Sequence, residues 1–218
     1  MLSLQRAFAD KAIKNVLCIG AHCDDIEIGC GGTILRLLAH NEGIHVDWVV
    51  LSADEVRAAE ARSAAETLLE GAASAHVRIE GFRESYFPYH GADVKGYFDR
   101  LGSEITPDLI LTHHGSDLHQ DHRLVAELTW NTWRDHLILE YEIPKYDGDL
   151  GRPNVFVSLE QAQCEHKVDT LMKSFPSQKS RYWFTDDTFW GLLRVRGVEA
   201  RAPSGFAEGF YCRKLVLM

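Results

Sequence analysis

The sequence predicts a doubly wound α/β fold: a Rossmann-like three-layer α/β/α sandwich around a mostly parallel sheet, with residues 1–218 forming a single domain. Three observations carry this expectation. Short β-branched runs alternate with segments of helical period along most of the chain. A length of 218 residues suits one hydrophobic core, and no linker, repeat or low-complexity tract divides it. Hydrophobic residues make up 45% and charged residues 25%, the balance of a folded globular domain.

Taken in order, Asn15 to Ile19 reads as a buried strand, and Gly29 to His40, with Ile34, Leu37 and Leu38 at helical spacing, as the helix after it. His45 to Leu51 is the second strand. Ser52-Ala53-Asp54-Glu55 has capping-box form and starts the next helix, whose inner stripe is Ala61, Ala64, Ala65 and Leu68. A third strand over His76 to Glu80 and a helix over Asp93 to Ile105 follow. Pro107-Asp108 then turns the chain into a strand at Leu109 to Thr112. A His-rich loop leads to a helix from about Leu118 to Arg134 and a strand at Leu137 to Tyr141. Pro144 to Pro153 is loop by composition. Strands near Val155 and over Phe210 to Val216 flank helices around Glu160 to Met172 and Thr188 to Val198.

Composition narrows the function classes. Lys and Arg number 23 against 32 Asp and Glu, a net charge of −9, which argues against binding duplex nucleic acid by neutralising phosphates. No apolar run approaches the roughly 18 residues of a membrane span. The longest, Val16 to Ala21, stops at His22. The N-terminal stretch carries charges every few residues and no apolar core, so no secretory signal is expected. Five cysteines without a CxxC suit reduced thiols and a cytoplasmic location.

Chemistry concentrates in two motifs. Ala21 to Thr33, AHCDDIEIGCGGT, places His22, Asp24 and Asp25 at the carboxyl end of the first strand, where open α/β sheets bind ligands. A histidine with a carboxylate suits Zn²⁺ or another borderline divalent ion, and the second carboxylate is free to face the attacking water. Helix capping accounts for one aspartate, not for two and His22. The glycines lack the third position of GxGxxG, which falls on Ile34, and two aspartates there would repel a pyrophosphate. They are read as serving a tight turn and close helix packing.

The second motif, HHGSDLHQDH over His113 to His122, follows the strand at Leu109. His119 and His122 fall three apart on one helix face, and His122 begins the inward stripe Val125, Ala126, Thr129, Trp133. In the strand order 3-2-1-4-5, both motifs line the crevice at the topological switch point. Any one of these histidines alone reads as a surface or hydrogen-bonded residue. Two metal-capable sets at both lips of one crevice do not. Arg57, one turn before the Ala61 stripe, reads equally as a cleft residue binding a substrate hydroxyl or anion and as an arginine paired with Glu60. His113 and His114 read as loop caps ahead of pocket lining, Cys18 and Cys30 as small buried side chains, and the aromatics of 182–190 as core or subunit interface ahead of a platform for a sugar ring.

At these residues the sequence resembles the PIG-L/LmbE-like family of metal-dependent de-N-acetylases, whose members remove acetyl groups from N-acetylglucosaminyl conjugates. The family's AHPDD and GxGGT appear as AHCDDIEIGCGGT, its HxDH as His119-Gln120-Asp121-His122, and an RxxE at Arg57 and Glu60. The resemblance implies His22, Asp25 and His122 as zinc ligands, with Fe²⁺ or another divalent ion also suited to them, and Asp24 as general base. It implies that His119 stabilises the oxyanion and protonates the leaving amine, and that Asp121 orients His119. Cys23 and Gln120 stand where the family usually has proline, which puts a thiol beside the metal and loosens both loops. The expected activity is hydrolysis of the acetamide of an N-acetylated amino-sugar conjugate, a biosynthetic intermediate being one such substrate. Two alternatives stand beside it: a Rossmann-type nucleotide-binding oxidoreductase and a non-catalytic metal- or sugar-binding protein. Oligomeric state is left open, self-association included.

Overall fold

Seven strands and six α-helices lie among residues 13–216, the part of the chain described by the computed structural model. The N-terminal stretch from which no secretory signal is expected falls mostly outside these residues. In chain order the elements are β1 (Asn15–Gly20), α1 (Asp25–His40), β2 (His45–Val50), α2 (Glu55–Leu68), β3 (Ser74–Ile79), α3 (Gly91–Glu104), β4 (Leu109–His113), α4 (Gln120–Thr132), β5 (Leu137–Tyr141), β6 (Val155–Ser158), α5 (Gln161–Ser174), α6 (Asp186–Ala200) and β7 (Ala207–Tyr211).

The sheet runs β3-β2-β1-β4-β5-β7-β6. Its first five strands are parallel, and β7 enters antiparallel between β5 and β6. The switch point therefore lies between β1 and β4, with both motifs at its carboxyl edge. Side chains of β1 alternate between two cores: Val16 and Cys18 face the layer of α1, α2, α5 and α6, while Leu17 and Ile19 face that of α3 and α4. This is the three-layer α/β/α arrangement. Among the described residues no helix is long and apolar enough to cross a membrane.

Several boundaries differ from the sequence expectation. α1 begins at Asp25 rather than Gly29, because Asp25 to Ile34 are all buried and a helix enclosed on every side shows no amphipathic period. Its glycines thus sit inside the helix, not in a turn. A Cβ at Gly29 would stand 2.2 Å from the Tyr141 ring, and one at Gly32 would stand 2.4 Å from Leu159 and 2.9 Å from the Glu208 carboxylate. α2 is capped by Asp54, which accepts from the Arg57 amide at 2.9 Å, while Ser52 forms a bridge with Gly81. β3 lies two residues early at its start. β7 spans 207–211, not 210–216: the Asn154 side chain accepts the Cys212 amide at 2.8 Å and ends the ladder, leaving Val216 87% exposed.

One buried ion pair fastens α1 to the far edge of the sheet. Lys167 of α5 donates to Glu208 of β7 and to the Ile28 carbonyl, each at 2.6 Å. Glu208 also accepts from the amides of Gly32 (2.9 Å) and Thr33 (2.7 Å) and from the Thr33 hydroxyl (2.5 Å). The small-residue run of α1 admits this carboxylate to the helix backbone, close to the turn that carries Asp25.

Candidate metal centre

β1 delivers His22 to the crevice, the first turn of α1 delivers Asp25, and the first turn of α4 delivers His122. Their facing atoms form a triangle: His22 Nδ1 to His122 Nε2 is 3.1 Å, His22 Nδ1 to Asp25 Oδ2 is 3.4 Å, and His122 Nε2 to Asp25 Oδ2 is 3.5 Å. Tetrahedral ligands bonded at about 2.0–2.2 Å stand about 3.3–3.5 Å apart, so this donor set fits Zn²⁺. Each histidine is also backed by a carboxylate on its other ring nitrogen, His22 Nε2 by Asp121 at 3.2 Å and His122 Nδ1 by Asp117 at 3.0 Å. Such backing fixes the ring orientation of metal-binding histidines. All five groups are buried.

Two other donor sets overlap the triangle: His22, His119 and His122, and Asp25, His113 and His122. In each, one nitrogen is already engaged. His113 Nε2 accepts the Ala21 amide at 2.9 Å, and His119 Nδ1 accepts the Asp121 amide at 3.2 Å. The sequence reading of His113 as a loop residue is corrected: it is fully buried, stacked on His122 with centroids 3.9 Å apart and 3.1 Å from the Asp25 carboxylate. Its position at the end of β4, across from β1, was the available signal.

The environment divides the charges. Burial and neighbouring His113 hold His122 down to about 3, so it is neutral. Burial alone would lower His22, but the Asp25 and Asp121 carboxylates carry it up to about 10. Asp24 is raised to about 6 by burial and by Asp25, against the pull of Arg57. It is ionised at neutral pH.

Four expectations for the surrounding residues change. Asp121 does not hold His119 with its carboxylate. His119 is the N-cap of α4, where geometry presents the Asp121 backbone N–H instead; the carboxylate turns to His22 and to the amides of Ser85 (2.6 Å) and Phe87 (3.1 Å). Burial and the charge of His22 lower the His119 imidazole, so it is neutral, with Nδ1 accepting and the proton on Nε2. Arg57 pairs with Glu84 at 2.5 Å and lies 3.9 Å from Asp24; Glu60 binds Ser177 instead. Cys23 Sγ points to the Ser52 carbonyl at 3.8 Å, burial raises its thiol, and among the described residues no cysteine joins a metal-capable set. Gln120 does not loosen its loop but donates to the Ser85 carbonyl at 2.5 Å.

The loop after β5, expected from its composition, is fastened to the site. Its Lys145 side chain is 8% exposed, and donates to Asp117 at 3.0 Å and Asp149 at 2.6 Å, while Asp149 accepts the Leu118 amide at 2.8 Å. Asp117 lies within the second motif but outside its HxDH core, and Glu84 and Lys145 carry no signal in the sequence beyond being polar. Of the aromatics at 182–190, Phe184 and Phe189 are core, and Tyr182 is exposed. The helical placement of the glycines also removes the loop a dinucleotide would need, since α1 opens on two carboxylates.

The chain is similar to known proteins in sequence and in fold. Residues 17–133 match the family model described as GlcNAc-PI de-N-acetylase, PIG-L. The uncharacterized deacetylase YaiS of Escherichia coli (strain K12) is 30% identical over 174 residues, covering 73% of this chain and 90% of that protein. Among solved structures, N,N'-diacetylchitobiose deacetylase from Pyrococcus horikoshii matches with a TM-score of 0.69 at 21% identity, over 97% of this chain and 87% of its own. GalB, the 4-carboxy-2-hydroxymuconate hydratase from Pseudomonas putida KT2440, matches with a TM-score of 0.76 at 18% identity, over 94% and 98%. A deacetylase and a hydratase thus share this fold, and the structural likeness alone does not choose between their reactions.

Proposed function

Because the chain belongs to the GlcNAc-PI de-N-acetylase (PIG-L) family, we propose that it is a metal-dependent hydrolase that removes the acetyl group from N-acetylated amino-sugar conjugates. The observation that carries this reading is the triangle of His22, Asp25 and His122 with a carboxylate behind each histidine. These residues would hold a divalent ion, Zn²⁺ fitting best, and Fe²⁺ remains compatible with the same donors. Such an ion supplies Lewis acidity at the amide carbonyl and at the attacking water.

The protein's own groups do the rest. Asp24, ionised above about 6, accepts the proton of the water as it attacks. His119 presents its Nε2 proton to the developing oxyanion as a hydrogen-bond donor, and the departing nitrogen, whose anion is a very poor leaving group, takes the proton that Asp24 accepted from the water. One well-placed oxyanion donor is worth about 3–4 kcal/mol. Asp121 acts on His22 and on the loop at Ser85 rather than on His119. Arg57, beside Asp24, binds the substrate. All five cysteines are free, which supports a reducing, cytoplasmic setting.

The test is release of acetate and free amine from N-acetylglucosaminides by zinc-loaded protein. We expect about one metal per chain, loss of metal and activity in His122→Ala, and in Asp24→Asn retained metal with a rate lower by about 10²–10⁴. Addition of water to an unsaturated acid without acetate release would move the protein to the hydratase side of the fold. Binding of sugar without turnover would make it a non-catalytic binder.

A further inference from the structure

We infer that Glu84 fixes the substrate class of this site: by neutralising Arg57 it selects uncharged amino-sugar conjugates over those with a phosphate or carboxylate arm. The inference rests on the proposed deacetylase reading and deepens it.

Arg57 is the cation placed beside Asp24 in the cleft. Its Nη1 is 2.5 Å from Glu84 Oε2, its Nη2 3.9 Å from Asp24 Oδ1, and its side chain is only 14% exposed. One guanidinium therefore faces two carboxylates. Lys145 offers no spare charge, being held between Asp117 and Asp149. Arg83, on the same loop as Glu84, lies over the Tyr86 ring, 3.5 Å from its centroid. An anionic arm arriving at Arg57 would have to displace or oppose Glu84 in a partly desolvated cleft, where like charges repel strongly.

Glu84 is not a loose surface acid. The next residue, Ser85, stands at φ 66, a left-handed conformation that is uncommon for a residue with a Cβ. It is kept there by the Asp121 carboxylate on its amide, by Gln120 on its carbonyl, and by the Phe87 amide on the same aspartate. Asp121 in turn holds His22. The backbone carrying Glu84 is thus anchored to the groups of the metal centre, while the carboxylate remains 42% exposed toward solvent. A guanidinium and a carboxylate side by side offer a donor beside an acceptor. Hydroxyls, which both donate and accept, meet that arrangement; a phosphate or carboxylate, which only accepts, meets half of it.

The experiment compares the zinc-loaded parent with Glu84→Gln and Glu84→Asp. For each, kcat/KM is measured for methyl N-acetylglucosaminide and for N-acetylglucosamine 1- and 6-phosphate, and calorimetry gives the affinities of glucosamine and glucosamine 6-phosphate. The parent should favour the neutral substrate at least tenfold. Glu84→Gln should narrow that preference at least tenfold, chiefly through KM, and tighten glucosamine 6-phosphate relative to glucosamine. Glu84→Asp, which keeps the charge, should hold the parental preference, and adding Arg57→Met to Glu84→Gln should abolish the gain for anions. A parent that prefers the phosphorylated sugars, or an unchanged ratio in Glu84→Gln, overturns the inference while acetate release leaves the deacetylase reading intact. No acetate from any sugar, with the shift in phosphate-sugar binding still present, overturns the deacetylase reading and upholds Glu84.

Discussion

Removing the charge of Glu208 should destabilise the protein by about 3–5 kcal/mol, the usual cost of breaking a buried ion pair from one side. The Lys167 and Glu208 side chains are 4% and 3% exposed, so neither charge can turn to water without opening the layer of α1, α5 and α6. In Glu208→Gln the ammonium keeps the Ile28 carbonyl, and one amide oxygen replaces the two carboxylate oxygens that served Lys167, both backbone amides and the Thr33 hydroxyl. Lys167→Met strands the carboxylate instead, although its bonds from Gly32 and Thr33 survive, and should cost about 3 kcal/mol. Joined in one chain, the two changes remove both charges, and their combined cost should fall short of the sum by about 2 kcal/mol. Urea unfolding of the four proteins, followed by tryptophan fluorescence and far-ultraviolet circular dichroism, measures this. For a chain of this size 4 kcal/mol corresponds to a fall in Tm of about 8–16 °C. Single variants costing less than about 1 kcal/mol, or costs that simply add, would mean that the pair does not fasten α1.

Two further outcomes are expected. Asp117→Asn takes the negative charge from behind His122 and should weaken zinc binding by about 10–100-fold in chelator competition, with the fold retained; unchanged affinity would show that the carboxylate does not orient the ring. Glu140 is buried, but the bonds from His114, the Gly115 amide, Trp130 and Arg213 hold it below the usual carboxylate range. Its folded pKa lies below its unfolded one, so its contribution is full above the unfolded value of about 4.3 and fades as pH falls through the folded one. The gap in unfolding free energy between parent and Glu140→Gln should be level from pH 7 to 5 and shrink below about pH 4, and a gap that widens on acidification would reverse the assignment.

The strand order around the switch point was legible because parallel strands buried on both faces spell themselves out as β-branched runs, and because the two motifs sit at strand ends. The start of α1 was not, since a helix buried on all sides carries no polar face and its glycines imitate a loop. Among site residues, proximity in sequence misled at Asp121: two residues from His119 suggests a side-chain contact, yet an N-cap offers its second following backbone amide. The structure gathers His22, Asp25 and His122, the set that the family resemblance implied, whereas the strand ends alone brought the two motifs to one crevice without choosing between Asp24 and Asp25. Asp117, Glu84 and Glu208 enter through loop conformation and a crossing from the distant sheet edge, and neither leaves a periodic trace in the chain.

The chain of contacts from Lys145 through Asp117 to His122 bears on how such a site can diversify. The loop after β5 is the kind of segment that evolution and engineering remodel first, because it borders the cleft and belongs to no sheet or helix. Here it shares a carboxylate with His122 of the proposed metal site, and Asp149 ties it to the backbone just ahead of α4. Lys145, Asp149 and Asp117 are therefore expected to be inherited or replaced together. A graft that brings in a new loop but leaves Asp117 without its cation would change the metal site along with the specificity it was meant to alter.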